Sequence, residues 1–273
     1  MNLLSVPLCL ALACATVMTA APAPKPKMGS KVFAWDALVA KPTPNGERRD
    51  VANHATPTLR VFECHITTLN PGKASHLPHR HPQEELIIVK EGTLEVHING
   101  VETRAGPGSV FLYLANDAHA VKNVGDTRAT YWVINLASSL THDPAKFNPA
   151  PSLKSAVHDW EKIPVQVTKT GARRQILNGS TVTMQSLTLH VTTVNVGLAA
   201  HAAHRHADDE VIVVKEGTLE IDLEGTKHRA PAGSVCFYAS NDLHGMRNLG
   251  DTPVTYYVIR MITPETPKPP AKS

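Results

Sequence analysis

Cysteine is scarce: there are four in 273 residues, and two of them, Cys9 and Cys14, lie at the far N-terminus. The remaining pair, Cys64 and Cys236, occupy non-equivalent positions inside apolar, strand-like runs, which argues against a disulfide-stapled scaffold. The same scarcity excludes a closed zinc site built from cysteine ligands. Both thiols read as buried and free. Charge of one sign is scarce as well. A net charge of +3, without a basic block interleaved with aromatics, gives no ground for a nucleic-acid partner. A long helical period is also missing from the body of the chain. What is present is globular composition, 42% hydrophobic and 19% charged, in a chain long enough for one large or two ordinary domains.

The N-terminus differs in character. Leu3 to Ala21 carries no charge, Leu8 to Val17 has the length of a signal-peptide core, and Ala20 to Ala23 supplies small residues for cleavage. Residues 1–23 therefore predict a signal peptide and export to the periplasm or the extracellular space. The run is too short and too rich in alanine and threonine for a span, so no stable membrane insertion of the mature protein is expected. Leu10-Ala11-Leu12-Ala13-Cys14 has its leucine out of place for a lipoprotein box, and a lipid anchor is not expected.

From Trp35 the chain repeats itself. An offset of 125 residues pairs Trp35 with Trp160, His65 with His190, His76 with His201, Asn116-Asp117 with Asn241-Asp242, and His119 with His244. Between 79–96 and 204–221, 12 of 18 positions are identical, so the halves are duplicated domains. Each half reads as short strands broken by turn residues: Thr58 to Leu69, Leu86 to Val89, Thr93 to Ile98, Ser109 to Leu114 and Ala129 to Leu136. The expected layout is a first domain over 30–137, a linker over 138–155, a second domain over 156–262 and a disordered tail over 263–273.

The chemistry centres on His79-Arg80-His81-Pro82-Gln83-Glu84-Glu85 and its copy His204-Arg205-His206-Ala207-Asp208-Asp209-Glu210. On a strand, histidines at i and i+2 point to one face, and two imidazoles with a carboxylate form a metal-ligand pattern. The spacing Gly72-x6-His79-x-His81-x3-Glu85-x6-Gly92, followed by Gly108-x10-His119-x3-Asn123, closely resembles the two motifs of the cupin superfamily. Gly197 to Gly217 and Gly233-x10-His244-x3-Asn248 repeat both. The resemblance covers about residues 30–263. It implies an all-β bicupin of two tandem jelly-roll barrels, each holding one divalent ion by three histidines and a glutamate. The implied ligands are His79, His81, Glu85 and His119, then His204, His206, Glu210 and His244. Such a mixed N/O set suits Mn or Fe best, and Ni, Co, Cu or Zn would also fit, with up to two ions per chain.

Around these ligands, His76 and His201 are candidate acid/base groups or supports for the ligands, with a plain loop histidine as the alternative. Strand parity turns Glu84, Asp209, Arg80 and Arg205 away from the ligands, the carboxylates toward solvent and the arginines toward salt bridges. His65 and His190 are expected to pack or hydrogen-bond; His54, His97, His142, His158 and His228 are expected at the surface. Phe111 or Tyr113, Tyr131 or Trp132, Tyr238, and Tyr256 or Tyr257 are candidate pocket walls. The leading functional expectation is a metal-dependent oxidoreductase using a small-molecule substrate and O2. The alternatives are a manganese decarboxylase of a small carboxylic acid and a non-catalytic binding bicupin. A homo-oligomer is compatible with the sequence.

Overall fold

The computed structural model describes residues 27–268, so the expected signal peptide over 1–23 lies outside the described residues. The described chain is nearly all β. In the first half a seven-stranded antiparallel sheet runs, edge to edge, Ala156–His158, Val110–Tyr113, Glu84–Glu91, Ala129–Ala137, Val61–Leu69, Gly46–His54 and Lys41–Thr43. A three-stranded sheet of Val101–Ala105, Leu94–Ile98 and His119–Asn123 faces it. The second half repeats both sheets, so the chain forms two jelly-roll barrels. Among the described residues no helix is long and apolar enough to cross a membrane.

Side-chain parity explains how the large sheets are used. Along Val61–Leu69, Phe62, Cys64 and Ile66 point away from the barrel's interior, whereas Glu63, His65 and Thr67 point into it. The outward set is not solvated. It packs against the equivalent face of the other barrel in one shared core, where the Phe62 and Phe237 rings lie 5.2 Å apart. The central strands are thus buried on both faces, which is why Leu86 to Val89 and Val211 to Val214 read as unbroken apolar runs. Cys64 lies in the shared core and Cys236 inside the second barrel, both buried free thiols.

The barrels also exchange arms. The expected layout puts Lys31–Phe33 with the first barrel and Ala156–His158 with the second, but the hydrogen bonds run the other way. Lys31–Phe33 pairs with Val235–Tyr238 of the second barrel, and Ala156–His158 pairs with Val110–Tyr113 of the first. Each arm covers an edge that would otherwise expose unpaired backbone groups. His158, expected at the surface, is accordingly half-buried in this arm, and its pKa is lowered by burial.

A tryptophan follows each arm. Trp35 lies against Gly233 of the second barrel and beneath Arg49 and Lys90 of the first, at 4.8 and 5.3 Å. Trp160 does the same with Gly108, Arg174 and Lys215. Gly233 has φ +97°, and a Cβ there would stand 2.4 Å from the Trp35 ring. Gly233→Ala should therefore cost about 2–3 kcal/mol through left-handed strain and overpacking. Urea unfolding followed by tryptophan fluorescence checks this.

The stretch between the barrels is anchored: Ser138 Oγ donates to the Thr183 carbonyl, and Ser155 Oγ donates to Asp117. The expected tail is anchored at its start. Thr263 is buried and its hydroxyl donates to the Thr58 carbonyl at 2.6 Å; residues 269–273 lie outside the described ones.

Glu84 and Asp209 correct the parity reading. They do point away from the ligands, but into the interface between barrels, where both are fully buried. Asp209 accepts from Thr56 Oγ1, Thr58 N, Thr58 Oγ1 and Ser240 N at 2.5–3.2 Å. Glu84 accepts from Thr183 N, Thr183 Oγ1 and Ala115 N at 2.9–3.1 Å. Each carboxylate thus holds a loop of the other barrel. Burial pushes the Glu84 carboxyl above its ordinary value, against the pull of its hydrogen bonds.

Candidate metal centres

The ligand pair is not on a regular strand. His79 makes an isolated antiparallel bridge with His119, and His81 follows in a loop before Glu84–Glu91 begins. The bridge is closed by His79 N to His119 O at 3.1 Å and His119 N to His79 O at 3.0 Å. The His81 carbonyl accepts from Asn116 N at 2.8 Å, and Asn116 sits at φ +65°, a turn asparagine tolerates. His119 opens its own strand, and Glu85 is the second residue of Glu84–Glu91.

These constraints bring the nitrogens of His79, His81 and His119 within 4.8 Å of one another, and those of His204, His206 and His244 likewise. Glu85 stands beside the first triad, its Oε2 3.3 Å from His81 Nε2 and its Oε1 3.7 Å from His119 Nε2. Glu210 Oε2 is 3.2 Å from His206 Nε2.

The hydrogen bonds set the tautomers. His119 Nδ1 donates to the Asp117 carbonyl at 2.8 Å, and His244 Nδ1 donates to the Asp242 carbonyl at 2.9 Å. Each Nε2 lone pair is thereby turned to the centre of its cluster, buried and without a hydrogen-bond partner. Behind these rings Tyr113 and Tyr238 stack at 4.3 Å. Burial lowers the pKa of His79, His119, His204 and His244, which favours the neutral, ligating form. At His206 burial works the same way, but Asp208 and Glu210 outweigh it and raise the imidazole to about 9. A divalent ion held by this triad would take the place of that proton. Buried, convergent, unpartnered imidazole nitrogens beside a carboxylate fit a divalent ion, and each barrel carries one such divalent-metal site.

Above the first cluster opens a cavity of about 850 Å³, lined by Arg48, Glu63, His65, Gln83, Tyr131 and Asn135 as well as the ligands. Glu63 accepts from Arg48 at 2.9 Å and Asn135 at 2.9 Å, and lies 2.8 Å from His65 Nδ1. Burial raises its pKa, but His65, Asn135 and Arg48 prevail and hold it below the ordinary carboxylate value. The motif reading passed over Arg48 and Glu63. The signal for Glu63 was a charged residue at the inward parity of Val61–Leu69, a strand whose outward positions are apolar.

The remaining candidates divide. His76 and His201 are exposed, edge-on to the ligand rings His79 and His204 at 4.0 and 4.6 Å, with Nδ1 bound to the carbonyls of Leu77 and Ala202. Tyr113, Tyr131 and Phe111 lie inside the first barrel, Tyr238 and Tyr256 inside the second. Trp132 and Tyr257 face the shared core, where Trp132 Nε1 donates to the Gly233 carbonyl and the Tyr257 hydroxyl to that of Gly108. Arg205 pairs with Glu224, and Arg80 donates to the Asn116 carbonyl.

The solved structures similar to this chain show its fold. AerE from Microcystis aeruginosa aligns with TM-score 0.63 and 17% identity, over 82% of this chain and 98% of its own. The oxalate decarboxylase–formate complex of Lactobacillus farciminis aligns with TM-score 0.66 and 13% identity over 88% of both chains. Salicylate 1,2-dioxygenase from Pseudoaminobacter salicylatoxidans, with gentisate, aligns with TM-score 0.63 and 16% identity, over 87% of this chain and 82% of its own. No curated protein matches the chain in sequence. The cupin domain model matches residues 65–135 and again 190–260, one match in each barrel. With more than half of its length matched and both barrels formed, the chain belongs to the cupin family, as a bicupin with a metal site in each half.

Proposed function

We propose that this protein is a metal-dependent oxidoreductase of the dioxygenase or oxidase type, acting on a small organic substrate in the first barrel. The observation that carries the reading is the 850 Å³ cup with the His79, His81, His119 and Glu85 donors in its wall. His79, His81, His119 and Glu85 would hold a divalent ion, Fe or Mn by donor type, which would supply a Lewis-acidic centre for the reaction.

The chain's own groups do the rest. The aliphatic side chains of Leu69, Ile87, Val121 and Val133 shield the substrate from water. Tyr113 and Tyr131 also line the cup, and their buried hydroxyls have no hydrogen-bond partner. Burial raises both pKa values, so the hydroxyls stay protonated and free to donate to a substrate oxygen. Arg48, Glu63 and Asn135 form a fixed polar wall that orients the substrate. His76, beside ligand His79, is the group positioned to take a substrate proton.

The similar structures support a small-molecule reaction, since two of them carry the names of enzymes acting on small organic acids. The uncharged leader over residues 3–21 supports action outside the cytoplasm.

The test is O2 consumption and CO2 release by the metal-loaded protein against a panel of phenols, enols and small acids. Substrate-dependent O2 uptake supports the reading. CO2 without net O2 loss would replace it with a decarboxylase, and tight metal binding without turnover would replace it with a binding protein.

A further inference from the structure

The two cups differ where their metal ligands agree. Among the positions that line the first cavity and differ in the second barrel are three beside the ligands: Glu63 becomes Thr188, Gln83 becomes Asp208 and Asn135 becomes Arg260. The changes are coupled. In the first barrel Asn135 lies opposite both Glu63 and Glu85, and its amide donates to Glu63 on the cup wall. In the second barrel Arg260 occupies that position, opposite Thr188 and Glu210, and Thr188 offers no carboxylate.

Arg260 turns to Asp208 instead. Its Nε and Nη2 donate to the two Asp208 oxygens at 2.7 and 2.8 Å, a bidentate pair. Asp208 is buried and sits in sequence between the ligands His206 and Glu210, with its Oδ1 3.4 Å from His206 Nδ1. Arg260 Nε is 3.8 Å from Glu210 Oε2. The guanidinium therefore lies beside the metal ligands, where the first cup holds a small amide.

We infer that the Asp208–Arg260 pair closes the second metal centre to organic ligands, so that substrate coordinates only the metal of the first barrel. An organic ligand reaching the second ion must part the pair and strip the buried Asp208 carboxylate of its bidentate partner. The first cup demands no such step, because Gln83 and Asn135 carry no charge. The second ion then serves the barrel's structure, and Asp208 and Arg260 are the residues that set the difference. This inference rests on the metal reading above.

The test uses the full chain loaded with Zn(II) and titrated with 4-nitrocatechol, a chromophoric bidentate ligand whose spectrum shifts when it coordinates. Metal content is measured first; a chain that takes up no ion overturns the metal reading, and this inference with it, before any probe is added. For the wild type the expected result is one equivalent of probe bound per chain. His119→Ala, which leaves the second centre intact, should bind the probe at least tenfold more weakly. Asp208→Gln with Arg260→Asn, which restores the first-cup residues, should raise the wild-type stoichiometry toward two. Two equal equivalents in the wild type, or wild-type affinity in His119→Ala, overturns the inference, and so does a wild type that binds none. The His119→Ala arm decides the matter even where the double variant does not fold.

Discussion

Asp209→Ala lowers the unfolding free energy by about 3–5 kcal/mol, since it removes four hydrogen bonds to a buried carboxylate at once. The donors left behind make the loss large. Thr58 N loses its acceptor in the buried interface, where a stranded donor costs about 1–3 kcal/mol, and half-buried Ser240 N loses its own. Thr56, which also caps Leu59 N through its hydroxyl, loses the anchor that orders the loop. For a chain of this size the shift in Tm is roughly 10 °C. Differential scanning calorimetry at fixed metal loading checks it, and a loss below about 1 kcal/mol would contradict the clamp. Glu84→Ala, which releases the matching loop at Thr183, should cost a comparable amount.

His119→Ala carries the second large effect, this time on activity. Its Nε2 is the nitrogen that the Asp117 carbonyl aims at the metal position, and alanine leaves both the site and the stacked face of Tyr113 bare. Losing a Lewis-acidic centre worth several kcal/mol predicts a fall in turnover of roughly a thousandfold or more. Steady-state O2 uptake on the substrate found in the panel measures it. Asp117 contributes only its backbone carbonyl here, so the tautomer of His119 does not depend on the Asp117 side chain.

The two histidine triads were the most legible part of the molecule, because donor chemistry fixes residue types and the repeat printed them twice. Strand Leu94–Ile98 was equally plain: its strict alternation matches a sheet with one face on the barrel core. What escaped the sequence reading had a shared physical cause, namely that each barrel's surroundings include the other barrel. Glu84 and Asp209 face away from the metal as parity requires, yet the region they enter is protein rather than water. The arms at Lys31–Phe33 and Ala156–His158 could not be assigned to a barrel from the repeat, since a symmetric exchange leaves the 125-residue offset unchanged. Strand Gly46–His54 was hidden by its charge. Arg48 reaches across it to Asp50 and Glu63, and a register shift between Asp50 and Ala52 breaks its alternation.

The two cups illustrate how a duplicated site diverges. The histidine triads and Glu85 or Glu210 are identical in the two halves, whereas residues above them differ. Gln83 and Asn135 leave a cavity; Asp208 and Arg260 close on one another. In the first cup the negative charge of Glu63 is answered by Arg48, so the wall presents fixed hydrogen-bonding groups rather than a free charge.

The central claim is that two independent metal centres are built from these histidines and glutamates, one in each barrel. Metal content per chain, measured by inductively coupled plasma mass spectrometry after exhaustive dialysis, tests it most directly. The account predicts two divalent ions for the wild type and one each for His119→Ala and His244→Ala. Retention of both ions by either variant would contradict it.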